Sequence, residues 1–229
     1  MGQPMEEITR LRLGYANAWL LRQDGVYCLV DSGMPRLAGR LLSLLEELGV
    51  NRGNLRLAVA THGHFDHAGG LTAVSRALGC PLLAHRGEAR EMAQGRWLLP
   101  LGTFPPSRAA IALARRIPRL LARATRFEPV EPDHVVDRET SLAPFGLDAR
   151  VIPTPGHSPG SLTLLTAQGN AFVGDLAYNE LPSLFKNRRP PFATDLDLLH
   201  QSWRTALSAG ARTIHPGHGA AFDASELGG

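Results

Sequence analysis

Short apolar runs, most of them bounded by Gly, Pro, Asn or Asp, recur along the chain in two sets. Trp19–Leu21, Val26–Val30 (VYCLV) and Leu55–Ala60 (LRLAVA) make the first. Ala149–Ile152, Leu162–Thr166 and Ala171–Val173 make the second. Runs of this length and punctuation predict β-strands. Inside the first set the period changes. Leu37, Leu41, Leu44, Leu45 and Leu48 recur at i, i+4, i+7, i+8 and i+11, with Pro35 at the start and Gly49 at the stop. That spacing predicts an amphipathic helix. Two more helices are predicted, over about Gly70–Leu78 and about Asp195–Ala209. The order reads as two similar halves, and layered sheets flanked by helices follow if each element buries its apolar face.

Between Arg86 and Arg126 the rhythm breaks. No strand pattern is visible there, but Ile111, Ala114, Ile117 and Leu121 fall at helical spacing, interrupted by Pro118. The segment holds nine arginines (Arg86, Arg90, Arg96, Arg108, Arg115, Arg116, Arg119, Arg123 and Arg126) against Glu88 and Glu91. It reads as a helical cap, residues 86–126, inserted in a single domain spanning 1–229.

Composition narrows the class. At 229 residues the chain can remove about 70% of its unfolded surface from water without staples. Cys28 and Cys80 sit in apolar stretches (YCLV and LGCPLL) and read as buried thiols, which fits a reducing compartment. MGQPMEEITR shows no basic leader ahead of an apolar run, and no run approaches the ~20 residues of a membrane helix. The expectation is a soluble, cytoplasmic protein with no membrane partner. A net charge of +3, almost all of its basic residues Arg with Lys186 the one lysine, is too mild to call for nucleic acid.

Candidate chemistry is concentrated in Thr61–Gly70, THGHFDHAGG. His62, His64, Asp66 and His67 fall within six positions, after LRLAVA and before a helix. Imidazole and carboxylate suit zinc and related divalent ions. A helix would send His62 and His64 to opposite sides; a turn relaxed by Gly63 can aim both at one ion. Burying four such groups together without a metal would leave charge and polar atoms unpaired. More ligands end apolar strands: RVIPTPG leads to His157, AFVG to Asp175 and ARTIHPG to His218. His85, His134, His200 and His215 read instead as ordinary surface or core residues.

The series THGHFDHAGG, PGHSPGS, VGD and HPGHG resembles the metallo-β-lactamase superfamily, in order, from VDSG at Val30–Gly33 to PGHG at Pro216–Gly219. The resemblance implies an α/β fold, a four-layer αββα sandwich with metals at one edge. It implies that His62, His64 and His157 hold one ion, that Asp66, His67 and His218 hold a second, and that Asp175 bridges them. Asp31 of VDSG would orient a ligand or its loop; the plain alternative is an ordinary turn residue ending a strand.

Two divalent ions, zinc first with iron or manganese as other choices, would share a water and lower its pKa towards about 7. The bridging hydroxide is then the nucleophile, and Asp66 orients it and passes a proton to the leaving group. Among relatives, the true β-lactamases lack a bridging Asp where Asp175 stands, and the nucleases carry an extra domain. Glyoxalase II shares all seven ligands but adds a C-terminal helical region that holds glutathione. Only eleven residues follow His218 here, so glutathione selectivity is not expected. The lactonase branch has a Tyr three positions after the bridging Asp, as GDLAY puts Tyr178; it either donates to a carbonyl oxygen or packs at a loop. The expected activity is hydrolysis of an ester-type bond in a small molecule, whether lactone, thioester or carboxylic ester. The alternative is a persulfide dioxygenase, using a single iron at the site of His62, His64 and the partners of Asp175. A homodimer stays open.

Overall fold

A computed structural model of the chain describes residues 5–180 and 186–228. The first four residues of the N-terminal stretch read above lie outside them. A first sheet contains β1 (Glu6–Leu13), β2 (Ala16–Gln23), β3 (Val26–Val30), β4 (Leu55–Val59) and β5 (Leu82–His85). A two-residue strand, β6 (Leu101–Gly102), lies apart, and β7 (His134–Val136) completes the first sheet in the order β1-β2-β3-β4-β5-β7. The second sheet is built from β8 (Thr140–Ser141), β9 (Ala149–Pro153), β10 (Leu162–Thr166) and β11 (Asn170–Gly174). After β12 (Phe192–Ala193), which pairs with β6, the strands β13 (Thr213–Pro216) and β14 (Phe222–Asp223) close it, in the order β14-β13-β11-β10-β9-β8.

The helices are α1 (Ala38–Glu47), α2 (Phe65–Ala68), α3 (Leu71–Leu78), α4 (Arg86–Met92), α5 (Pro105–Ala114), α6 (Pro118–Thr125) and α7 (Leu196–Ser208). A short 3-10 turn, Pro35–Leu37, leads into α1.

Alternation along each strand produces four layers. In β2, Ala18 and Leu20 face outward onto a cluster with Leu41 and Leu45 of α1 and Leu71 and Val74 of α3. Trp19 and Leu21 face inward and meet Val151, Leu162, Leu164 and Phe172 of the second sheet. On its far side that sheet turns Ile152, Leu165, Ala171 and Val173 towards Leu199, Trp203 and Ala206 of α7. Central strands are therefore buried on both faces, and VYCLV reads as an unbroken apolar run for that reason. Each fully buried Leu contributes roughly 1.5–3 kcal/mol over leaving it in water. This is the α/β, αββα arrangement expected above.

Several elements differ from the sequence reading. EEITRLRL is a full strand, β1, although its alternation is masked by charge. The arginine-rich stretch is not free of strand, since Leu101–Gly102 pairs with Phe192–Ala193. Pro118 does not interrupt one helix; α5 ends at Ala114 and Pro118 opens α6. Proline is favoured there because the first helical N–H has no intrahelical partner to lose. Cys28 and Cys80 are free and buried.

Candidate metal centre

β3 runs parallel to β4, and β11 parallel to β13, while β10 lies antiparallel to both β9 and β11. Strands β3, β4, β9, β11 and β13 consequently deliver their C-terminal ends to one edge of the sandwich. Just beyond those ends stand Asp31, the His62–His67 segment, His157, Asp175 and His218. Two glycines allow the loops to close together. Gly174 has φ of +53°, and a Cβ there would lie 2.2 Å from Thr61 Oγ1. At Gly217 a Cβ would meet His67 Cε1 at 2.4 Å and Asp175 Oδ1 at 2.6 Å.

Hydrogen bonds on the outer side of each imidazole fix which nitrogen faces inward. His67 Nδ1 lies 2.9 Å from Asp31 Oδ2, His157 Nδ1 2.8 Å from the Phe192 carbonyl, and His218 Nδ1 2.9 Å from the Tyr15 carbonyl. His64 Nε2 lies 3.1 Å from the Leu98 carbonyl. These acceptors offer only lone pairs, so the facing nitrogen carries the proton. His62 follows by a relay: the Thr61 hydroxyl donates its one hydrogen to Asp31 Oδ2 at 2.8 Å, so it accepts from His62 Nδ1 at 3.1 Å. Five rings are thereby turned with their remaining nitrogen towards one centre. Ligating histidines are oriented by just such outer acceptors.

The inward atoms fall into three groups, each with all its atoms within 4.8 Å of one another: His62, His64 and His157; His62, His67 and Asp175; and Asp66, His67 and His218. His64 Nδ1 and His157 Nε2 stand 3.0 Å apart, and His67 Nε2 and His218 Nε2 3.3 Å apart. Asp175 lies between the groups, with Oδ1 at 3.2 Å from His67 and 3.3 Å from His218, and Oδ2 at 3.7 Å from His157. All seven predicted ligands are thus brought together. His215 is not among them: it is buried against Phe172 and Trp19 and pairs with Asn170.

The electrostatics ask for positive charge. Burial holds His62 and His64 well below the ordinary imidazole range and lowers His157 as well. Burial opposes a proton on His67 and His218 too, yet the Asp175 carboxylate and its neighbours outweigh it and raise both. Burial would raise Asp175, but His218 and His67 beside it hold its carboxyl well below the usual range. Nitrogen pairs this close need a proton or a cation between them, and the two compete for the same lone pairs. Among the described residues, His62 Nε2 is buried with no hydrogen-bond partner, which suits a cation there. The donor set of imidazoles and carboxylates suits a zinc-like divalent ion.

Asp31 is the hub behind this cluster. It adopts φ of +61° and accepts the Thr61 backbone N–H at 2.8 Å as well as the Thr61 hydroxyl and His67. A left-handed non-glycine residue in such a position is backbone strain stored at a site. Three further residues escaped the sequence reading. Glu88 of α4 accepts from Gly63 N–H at 3.0 Å, Gly160 N–H at 2.9 Å and the Ser158 hydroxyl at 2.8 Å, tying the first ligand loop to the His157 loop. Ser32 donates to the His67 carbonyl at 2.8 Å. Tyr15, at the tip of the β1–β2 hairpin, stacks on His218 and hydrogen-bonds Asp66, and burial first and that carboxylate second raise its phenol. No motif marks Glu88 or Tyr15; Ser32 alone had a signal, as part of VDSG.

Above the cluster opens a cavity of about 480 Å³ lined by His64, Asp66, Asp175, Tyr178 and His218 together with the apolar Trp97, Ile111 and Leu121. Tyr178 lies against His218, ring centroids 5.4 Å apart, and burial pushes its phenol up to about 12. Helices α5 and α6 thus add apolar side chains to the cavity that the candidate ligands line.

Residues 11–218 match the family model of the metallo-beta-lactamase superfamily. The chain is 33% identical over 170 residues to a hydroxyacylglutathione hydrolase of Anaeromyxobacter dehalogenans, covering 74% of this chain and 49% of that one. It is 30% identical over 172 residues to the acyl-coenzyme A thioesterase MBLAC2 of Homo sapiens, covering 72% and 59%. The chain spans about half the length of the curated relatives it matches. Among solved structures, the BLEG-1 B3 metallo-beta-lactamase superposes with a TM-score of 0.69 at 21% identity, over 96% of this chain and 95% of that one. At that identity the likeness concerns the fold.

Proposed function

Because the chain belongs to the metallo-beta-lactamase superfamily, we propose that it is a metal-dependent hydrolase of thioesters or related esters with an apolar acyl group. One observation carries this reading. Five imidazoles, each with its outer N–H committed, converge with Asp66 and Asp175 beside a cavity that is also lined by apolar side chains. His62, His64 and His157 would hold one divalent ion and Asp66, His67 and His218 another, with Asp175 facing both. When bound, such ions acidify water to near neutrality and polarise a carbonyl.

The chain's own groups do the rest. Trp97, Ile111 and Leu121 exclude water from one side of the cavity and take up an acyl arm. Asp66, close to His218 at 3.7 Å and to the Tyr15 hydroxyl, is placed to hold a proton and release it to the departing thiolate or alkoxide. Tyr178, protonated throughout the physiological range, donates to the oxygen that gains charge. The kinship with a hydroxyacylglutathione hydrolase and an acyl-coenzyme A thioesterase supports a thioester over a phosphodiester.

The test is metal quantification of the purified protein beside a panel of acyl thioesters, lactones and carboxylic esters. The expected result is close to two divalent ions per chain and hydrolysis that chelation abolishes. A single iron per chain with oxygen uptake on a persulfide would replace this reading with the dioxygenase.

A further inference from the structure

The cavity over the metal centre has a neighbour that the chemistry above does not use. A second cavity of about 610 Å³ is lined by Arg96, Arg115 and Arg126 together with Trp97, Leu99 and Leu121. Trp97, Leu99, Ala114, Leu121 and Thr125 also line the first cavity, so the two cavities share a wall. The indole N–H of Trp97 donates to Thr125 Oγ1 at 2.8 Å, which fixes that wall.

The three arginines come from three separate elements. Arg96 follows α4, Arg115 caps the end of α5 and Arg126 caps the end of α6. Helix C-termini favour cations, which accounts for Arg115 and Arg126 one at a time. It does not account for their meeting Arg96 around one cavity. Nor is the charge balanced locally. Among the described residues, ion pairs engage Arg22, Arg40, Arg76, Arg86, Arg138, Arg150 and Arg188, and none engages Arg96, Arg115 or Arg126. Three guanidiniums without a carboxylate, around a cavity large enough for a ligand arm, form a site for a dense anion, and a phosphate matches the fork of N–H donors.

We propose that Arg96, Arg115 and Arg126 form a subsite for a phosphate carried on the thiol arm of the substrate, so that the enzyme acts on acyl thioesters of a phosphorylated thiol. This assignment rests on the hydrolase reading above for its substrate, although the subsite itself does not need turnover. The acyl arm lies in the apolar cavity, the scissile bond at the ligand cluster, and the phosphate beyond Trp97.

A pair of substrates differing by one phosphate tests it: butyryl-pantetheine and butyryl-4′-phosphopantetheine. The wild-type enzyme should favour the phosphorylated ester by about tenfold or more in kcat/KM at low salt, since hydrogen bonds to charged groups are each worth about that factor. The preference should shrink as NaCl rises. The triple variant Arg96→Gln, Arg115→Gln, Arg126→Gln should lose it through KM, with kcat and the neutral ester unchanged. A wild type without preference, a variant that keeps it, or a variant equally impaired on both esters would overturn the subsite while leaving the hydrolase intact. If the wild type cleaves neither ester, the hydrolase reading fails, and calorimetry on the free thiols decides the subsite alone. Tighter binding of 4′-phosphopantetheine than of pantetheine, abolished in the triple variant, sustains it; equal affinities overturn it.

Discussion

Asp31 accepts three hydrogen bonds and Glu88 accepts three, and neither touches the centre of the ligand cluster. What they do is hold loops that do. Glu88→Gln replaces an acceptor-only carboxylate with a group that has one acceptor oxygen and an NH2. The Gly63 and Gly160 N–H groups and the Ser158 hydroxyl cannot all keep partners, and an orphaned buried donor costs about 1–3 kcal/mol. Thermal unfolding of Glu88→Gln should therefore fall by several degrees, with metal content lowered alongside; unchanged metal content and stability would show that the two loops are held by other means. Tyr178→Phe should act differently, lowering kcat by about 10²–10³ if its hydroxyl serves the developing oxyanion, with metal content and melting temperature unchanged. An unaltered kcat leaves Tyr178 as a packing residue. The seven candidate ligands were legible in the sequence because ligand chemistry is written in residue type and local spacing. Glu88 was not, because what makes it matter is that His62–His64 and His157, far apart in the chain, come to rest on either side of it.

Element by element, the same distinction holds. Strands buried on both faces, such as β3 and β10, announced themselves as apolar runs. Strands of two residues, β6, β8, β12 and β14, carry no period at all and exist only because a neighbour offers its edge. The helical spacing Ile111, Ala114, Ile117, Leu121 was real, but two helices share it. Ile111 and Leu121 line the cavity from α5 and α6, whereas Ile117, outside both, is exposed. Their contribution is best read from chain-length dependence. Each methylene that finds apolar contact is worth about 0.8 kcal/mol, close to fourfold in binding. Wild-type kcat/KM should climb along a series of acyl thioesters from acetyl upward, and Leu121→Ser should flatten the climb without changing kcat on the acetyl ester. A profile equally steep in the variant would move the acyl arm elsewhere.

At the scale of the whole molecule, the ligand cluster is a seam between two halves. His62, His64, Asp66 and His67 come from the first, and His157, Asp175 and His218 from the second. Asn17 at the start of β2 adds to the seam by donating to the Pro216 and Gly219 carbonyls around His218. An ion bound across it stabilises the fold by mass action, about 2.7 kcal/mol at a free concentration one hundred times Kd. Removing metal should lower the melting temperature as well as activity. His215 provides a second, independent probe of the same interior, because it sits between the sheets outside the ligand cluster. Burial holds its pKa down at about 4 from an ordinary 6.5. Between those values the unfolded chain binds a proton that the folded chain does not, so stability falls as pH drops from 6.5 towards 4, by roughly 3 kcal/mol at most. His215→Gln removes this one proton while leaving a group able to donate to Asn170 Oδ1, as His215 does at 2.9 Å. Unfolding of the metal-free protein in denaturant, measured from pH 8 to pH 4, should show the wild type losing more stability than His215→Gln, with the two curves parallel above pH 7. Curves that stay parallel down to pH 4 would mean that the imidazole is hydrated rather than enclosed between Trp19 and Phe172.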